Sequence, residues 1–411
     1  MSEKPHVVFV DDEPRILDGL RRMLRRESAR WDMSFAAGAA EALAVMETRR
    51  CNVVVSDFRM PGMDGGELLS RVQSLYPATA RVILSGQTSE KDVLRVIALA
   101  HQFLTKPAAR DDLVQTVERL ITAQSASGDD SARRDVSMVS SLPSAPGLVA
   151  ELIAALNAED ASAESIGAVI EQDPAAAAKV LHLVNSSASM VGGKVSDVVQ
   201  AVALLGTQTV RGLVLMHDVV RSFDPDGVLP HDWIQRLTEH SVHTSQLARQ
   251  LAGGAAWRDE AFTAGLLHEV GQLVLASSRR EDYARVLEFN SEAEGTRRST
   301  PFLLDDAERA ALGTCHSDAG ANLLALWGLP VAVVDAVAGH ANAARGPVGD
   351  AVSAVVLAHR VVEAQFGSVC GAAGDNAGPD SPAGPDSPAG PDSLAGPDRE
   401  VIERWRATLR Q

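Results

Sequence analysis

Four short apolar runs in the first quarter of the chain constrain its fold more than any other feature. The runs are HVVFV, NVVVS, ARVILSG and QFLTK, and charged segments of helical period separate them. Short strands that alternate with helices form parallel β-α-β units, because a parallel connection needs a long crossover. We therefore predict an α/β domain over 1–124, with helices on both faces of a doubly wound, five-stranded parallel sheet.

The rest of the chain divides into four segments of different composition. Residues 125–141 are rich in Ser, Gly and charge and predict a linker. Residues 142–370 have a helical period nearly throughout and predict an all-α domain. The repeat AGPDSP recurs every six residues within 371–398 and predicts a disordered spacer. Residues 399–411 then predict one short C-terminal helix.

The composition argues against several classes of protein. A formal net charge of −16 argues against a nucleic-acid-binding surface, which is usually basic. No uncharged apolar stretch approaches the roughly 20 residues of a membrane span, and the first residues do not resemble a secretory signal. Cys51, Cys315 and Cys370 have no paired spacing and predict free thiols. We therefore expect a cytoplasmic protein without a membrane span or a nucleic-acid partner.

Reactive side chains follow the predicted strands. Asp11 and Asp12 come directly after VVFV, and Asp57 ends the run NVVVSD. Since the carboxyl ends of parallel strands meet at one edge of a sheet, these carboxylates should lie together and require a cation. Oxygen ligands of this kind suit Mg²⁺. Ser85 and Lys106 end two further strands and add a hydroxyl and an ammonium, which together suit capture of a phosphoryl group.

Four motifs in this region resemble the receiver domain of two-component response regulators. They are DDE at 11–13, DFRMPGMDG at 57–65, LSG at 84–86 and FLTKP at 103–107. The resemblance implies a flavodoxin-like fold in which Asp57 is phosphorylated by a cognate histidine kinase. It also implies that Asp11, Asp12, Asp57 and the backbone carbonyl of Arg59 bind Mg²⁺.

The same resemblance assigns three further roles. Lys106 would pair with the phosphoryl group, and Ser85 would bond to it after transfer. Phe103 occupies the position of the switch aromatic, and the Lys106–Pro107 peptide bond is expected to be cis. Receiver domains often dimerise through the face that contains this aromatic, so the resemblance allows a homodimer.

The helical segments resemble the HDOD domain, an output module related to the HD hydrolases. The resemblance covers about 142–366 and includes AFTAGLLHEVGQLVL and LWGLPVAVVDAVAGH. The positions that correspond to an HD metal site are His240, His268, Glu269, His316 and His340. Glu269 replaces the usual Asp, and its extra methylene can displace the carboxylate by about 1.5 Å. Gln272 stands where a Lys often follows, which removes a cation that could balance a substrate phosphate.

We therefore interpret the HD-like site as vestigial and expect no transition metal in the helical domain. The favoured hypothesis is a response regulator whose helical domain acts on an unknown downstream protein, a role compatible with cyclic-dinucleotide signalling. A phospho-regulated, metal-dependent phosphohydrolase or phosphodiesterase is the alternative, although no GYP-type motif supports the cyclic-dinucleotide branch. A DNA-binding regulator is the third hypothesis, and neither the charge nor a recognition helix supports it.

Overall fold

The structure is a computed structural model. It describes residues 4–85, 99–126, 130–138, 148–158, 161–186, 194–207, 210, 228–229, 232–296, 304–341, 348–366 and 397–408. In this part of the chain, no helix combines the length and the hydropathy needed to cross a membrane. The hexapeptide repeat predicted over 371–398 lies outside the described residues, apart from its last two.

The N-terminal domain contains the predicted parallel sheet. Its strands are β1 (His6–Val10), β2 (Asp32–Ala36), β3 (Val53–Asp57), β4 (Ala80–Ser85) and β5 (Gln102–Thr105). All neighbouring strands pair in parallel in the order β2-β1-β3-β4-β5. The α/β fold class predicted from the apolar runs is confirmed.

Strand β2 has no counterpart among the four apolar runs. It lies at the edge of the sheet, and only Ala36 of its five residues is fully buried. An edge strand needs less apolar surface than a central one, so its sequence DMSFA does not form a continuous apolar run.

In the described part of this domain, five helices pack around the sheet. They are α1 (Pro14–Met23), α2 (Ala39–Thr48), α3 (Gly65–Leu75), α4 (Arg110–Ala126) and a short 3-10 helix (Arg25–Ala29). Asp64 caps α3, because its Oδ1 accepts a hydrogen bond from the backbone amide of Glu67 at 2.8 Å. A Cβ on Gly65 would lie 2.2 Å from the backbone oxygen of Asp57, so α3 starts in direct contact with the end of β3.

The stretch predicted as a linker contains a helix, α5 (Asp130–Met138). Val136 of α5 is buried, and the carbonyl of Ser137 accepts a hydrogen bond from the buried Arg81 of β4 at 2.7 Å. On the other side, Asp135 forms an ion pair with Arg279 of the helical domain at 2.5 Å. Polar contacts hold α5 between the two domains, so its sequence shows little of the apolar periodicity from which a helix is predicted.

The C-terminal domain is helical, as predicted. Its helices are α6 (Leu148–Asn157), α7 (Ala163–Ile170), α8 (Pro174–Ser186), α9 (Val198–Leu205), α10 (Trp233–Ala252), α11 (Arg258–Leu267), α12 (Val270–Ser278), α13 (Arg280–Thr296), α14 (Leu304–Leu312), α15 (His316–Leu326), α16 (Val331–Gly339) and α17 (Ala351–Phe366). A last helix, α18 (Pro397–Thr408), starts two residues before the predicted 399–411 and packs on α10 with Trp405 buried.

One apolar core runs through both domains. Val7, Val55 and Leu104 on one face of the sheet belong to the same buried cluster as the helical domain. Val8 and Val54 on the opposite face belong to a separate cluster beneath α2 and α3. Alternate side chains of a strand point to opposite faces, so one face of the sheet is directed toward the helical domain and the other is not.

Candidate functional site

The carboxyl ends of β1 and β3 form an acidic pocket. Ligand oxygens of Asp11, Asp12 and Asp57 all lie within 4.8 Å of one another. Asp11 is buried, and its Oδ1 accepts a hydrogen bond from the amide of Glu13 at 2.9 Å. The structure thus brings together the three acids that the sequence predicted, and an all-oxygen donor set of this kind fits Mg²⁺.

Lys106 lies in the same pocket and joins two of the acids. Its Nζ is 2.7 Å from Oδ2 of Asp11 and 2.8 Å from Oδ1 of Asp57. Burial alone lowers the pKa of Lys106, but its hydrogen bonds and charge interactions with Asp11 and Asp57 outweigh burial and raise it. The ammonium therefore stays charged, and the Lys106–Pro107 bond that follows is cis, as predicted.

The remaining predicted residues of this domain lie nearby in the fold. Ser85 is the last residue of β4, and the position of its side chain lies outside the described structure. Phe103 of β5 is half-buried against the apolar cluster beneath α2 and α3. Arg59 follows β3 by two residues and is exposed. Only Phe58 thus separates Arg59 from Asp57 along the chain.

The helical domain brings together all five predicted HD-like residues. His240 lies on α10, His268 and Glu269 join α11 to α12, and His316 is the first residue of α15. His340 directly follows α16. All five are buried, and we call this group, with the residues added below, the histidine cluster.

Three further residues in the cluster were not predicted from the sequence. His359 of α17 joins His240, His268 and Glu269, while Asp305 and Glu308 of α14 contact His316. His359 is preceded by the apolar run AVVLA in a core-facing helix, and this polar interruption is the signal that sequence analysis could have used. Asp305 and Glu308 belong to a charged helix and give no comparable signal.

Within the cluster, one ring nitrogen from each of three imidazoles lies close to the other two. Nε2 of His240 lies 3.2 Å from Nε2 of His268 and 3.0 Å from Nδ1 of His359. The third distance, from Nε2 of His268 to Nδ1 of His359, is 3.1 Å. A second pair lies alongside, with Nε2 of His316 3.2 Å from Nε2 of His340.

The Glu269 carboxylate lies between these two groups. Its Oε1 is 3.5 Å from Nε2 of His268, and its Oε2 is 3.3 Å from Nε2 of His316. Gln272 donates a hydrogen bond to Oε2 of Glu269 at 2.6 Å, and Trp233 donates one to Gln272 at 3.3 Å. The extra methylene of Glu269 therefore does not remove the carboxylate from the imidazoles, and Gln272 orients it.

Burial and charge divide the histidines into two kinds. Burial lowers the pKa of His240, His268 and His340 well below the usual value, and it lowers that of His359 to about 4. Burial also lowers the pKa of His316, but Glu308, Glu269 and Asp305 outweigh it and raise the pKa to about 10. These shifts favour the neutral form of the four imidazoles with a lowered pKa and the protonated form of His316. Burial raises the pKa of Glu269 to about 7.

Several known proteins are similar to parts of this chain. The hydrogenase transcriptional regulatory protein HoxA of Cupriavidus necator is 35% identical over 146 residues, which is 35% of this chain and 30% of HoxA. The transcriptional regulatory protein GlrR of Escherichia coli is 34% identical over 137 residues, 33% of this chain and 30% of GlrR. The matched part therefore spans about three tenths of each regulator.

Among solved structures, the MmoQ response regulator from Methylococcus capsulatus is 24% identical. The match covers 55% of this chain and 88% of that chain, with a TM-score of 0.44. A profile of the response regulator receiver domain matches residues 7–118, and a profile of the HDOD domain matches residues 142–343. The chain thus belongs to the two-component response regulators and joins a receiver domain to an HDOD domain.

Proposed function

We propose that Asp57 accepts a phosphoryl group from a histidine kinase in a Mg²⁺-dependent reaction and that phosphorylation switches the HDOD domain. The single observation that best supports this is the position of Lys106, whose ammonium lies between Asp11 and Asp57. A carboxylate nucleophile beside a fixed cation and a divalent-ion site has the parts that phosphoryl transfer requires.

Transfer in this pocket forms one bond and breaks one. A carboxylate oxygen of Asp57 attacks the phosphorus, the phosphorus–nitrogen bond of the kinase phosphohistidine breaks, and the released imidazole takes up a proton. The product is an acyl phosphate on Asp57. Asp11, Asp12, Asp57 and the Arg59 carbonyl would hold Mg²⁺, which would supply charge neutralisation for the phosphoryl oxygens. Lys106 pairs with those oxygens, and Ser85 bonds to one of them.

A hydrogen bond between the two domains supports a route from this pocket to the HDOD domain. Gln102 of β5 donates a hydrogen bond from Nε2 to the carbonyl of Leu326, the last residue of α15, at 2.7 Å. Phe103, the next residue of β5, points to the opposite face of the sheet, where the switch aromatic is expected to move. A movement of β5 would therefore change the hydrogen bond that Gln102 donates to the last residue of α15.

For the output, we propose contact with a downstream protein rather than hydrolysis. His240, His268 and His340 are each at most 5% exposed, whereas hydrolysis needs a coordination position that substrate and water can reach. A homodimer through the face that holds Phe103 and a place in cyclic-dinucleotide signalling follow from the resemblance and remain predictions. Measuring the molecular mass before and after phosphorylation checks the first of these.

The Asp57→Asn variant tests the phosphorylation site. With acetyl phosphate and Mg²⁺, the parent chain should take up one acid-stable, base-labile phosphoryl group, measured by intact-protein mass spectrometry. Asp57→Asn should take up none, because its amide is not a nucleophile. Asp64→Asn is the matched control, since its side chain caps α3 outside the pocket. Equal uptake by Asp57→Asn and the parent chain would rule out the assignment.

The Gln102→Ala variant tests the route through α15. Loss of this buried hydrogen bond costs about 1 to 3 kcal/mol, so the chain should still fold and take up phosphate. Hydrogen exchange of the amides of residues 316–326 should change on phosphorylation of the parent chain, and this change should be smaller in Gln102→Ala. Gln235→Ala on the exposed side of α10 is the control. An unchanged response in Gln102→Ala would exclude this contact from the route.

A further inference from the structure

The three nitrogens of His240, His268 and His359 have the spacing of ligands around one ion. Their separations of 3.2, 3.0 and 3.1 Å match the roughly 3.0 to 3.4 Å expected between atoms bound about 2.1 Å from a common centre. Oε1 of Glu269 completes the group at 3.5 to 3.9 Å from them. Three imidazoles and one carboxylate are a complete four-ligand set.

Hydrogen bonds among these imidazoles do not account for the arrangement. Nδ1 of His268 is 2.7 Å from the carbonyl of Gly265, an acceptor, so Nδ1 carries the ring proton and Nε2 presents a lone pair to the centre. The other two nitrogens can each direct at most one proton to one partner. Hydrogen bonds therefore cannot account for all three nitrogen–nitrogen contacts at once. One central cation, by contrast, attracts the lone pair of each nitrogen.

The outer contacts of the cluster are also those of a metal site. Ligating histidines usually donate their second ring nitrogen to a carbonyl or a carboxylate, which fixes the ring orientation. His268 does so to Gly265, and Gln272 orients Glu269 at 2.6 Å. Nδ1 of His240 is buried and has no hydrogen-bond partner among the described residues. The ring of His240 is thus directed into the cluster by packing alone.

We propose that the HDOD domain binds one divalent transition-metal ion through His240, His268, His359 and Glu269. Imidazole-rich sites favour ions such as Zn²⁺ and Co²⁺ over Mg²⁺, which prefers oxygen. Four protein ligands, three of them buried and His359 with a side chain only 13% exposed, describe a closed site, and closed sites have structural rather than catalytic roles. The sequence-based expectation of no transition metal rests on Glu269 in place of Asp and Gln272 in place of Lys, and it does not include His359.

Cobalt is a suitable probe, because its visible spectrum reports nitrogen ligation. The tag-free, full-length chain is stripped with a chelator and given Co²⁺ in a large excess of Mg²⁺, which occupies the carboxylate pocket of the receiver domain. One equivalent of Co²⁺ should remain after gel filtration, with visible absorption of a tetrahedral ion. The His359→Ala variant should bind at least about 10- to 100-fold more weakly, since loss of an outer contact alone costs that much.

The His243→Ala variant is the matched control. His243 lies on α10 near His240 but outside the cluster, and it stacks on Phe366, so its removal should leave Co²⁺ binding unchanged. Circular dichroism of the metal-free variants checks folding, and Glu269→Gln serves as a second variant of nearly equal size. The proposal is overturned if the parent chain retains no Co²⁺, or if His359→Ala and Glu269→Gln both retain it fully. It is also overturned if Asp11→Asn releases the ion, because the site is then in the receiver domain.

Discussion

Gly271→Ala is expected to lower the free energy of unfolding by about 3 kcal/mol or more, the largest effect expected from an added methyl group at any glycine that the structure describes. A Cβ at this position would lie 1.9 Å from the carbonyl oxygen of His316 and 2.7 Å from the amide nitrogen of Gly320. Both are backbone atoms, so no side-chain rotation can relieve the overlap. Helices α12 and α15 would have to separate, and Glu269 would move away from His316.

Thermal and denaturant unfolding measure this effect. Gly254→Ala is the control, because no atom lies within 4 Å of a Cβ there and its backbone is not in the left-handed region. Its free energy of unfolding should change by no more than about 0.5 kcal/mol. Equal unfolding midpoints for the two variants would contradict the close backbone contact between α12 and α15 at Gly271.

Lys106→Met should slow phosphoryl uptake by about 10²- to 10³-fold, the range found when one fixed donor to a transition state is removed. The ammonium lies 2.7 and 2.8 Å from the two acids, where it can neutralise the incoming phosphoryl oxygens. Methionine has a similar length without the charge. Mass spectrometry of a time course with acetyl phosphate and Mg²⁺ measures the rate.

The control for this rate is Lys4→Met, since Lys4 is exposed and donates only to the carbonyl of Ser28 among the described residues. It should react at the parental rate. Lys106→Arg keeps the charge on a planar group and should fall between the two. A Lys106→Met rate within a factor of about three of the parent chain would contradict the role given to Lys106. This prediction rests on the proposed function.

The fold was predictable where burial and periodicity agree. Central strands are buried on both faces, so β1, β3 and β4 appear as apolar runs that mark the sheet. The edge strand β2 and the helix α5 were missed because their positions depend on pairing and on polar contacts. Arg81 donates a hydrogen bond to the backbone carbonyl of Ser137 in α5. Every residue has such a carbonyl, so the amino-acid sequence does not indicate which one accepts the bond.

The two sites differ in how far the sequence defines them. The receiver pocket was predictable because its acids occupy strand ends, which meet wherever a parallel sheet forms. The histidine cluster draws residues from helices α10, α14, α15 and α17, from the junction of α11 and α12 and from the end of α16. The chain separates His268 from His359 by 91 positions. Crossings such as that of α12 and α15 decide which of these side chains meet, and only the folded structure shows them.

Helix α15 connects the histidine cluster to the receiver domain and can couple the energetics of the two. One end supplies His316 to the histidine cluster, and the other accepts the hydrogen bond of Gln102, so 11 residues of helix join the domains over about 16 Å. Linkage is reciprocal: if phosphorylation alters the affinity of the cluster for an ion, the ion must alter the phosphorylation equilibrium by the same factor. The concentration of the metal ion and phosphorylation by the kinase would then shift the same equilibrium of the protein.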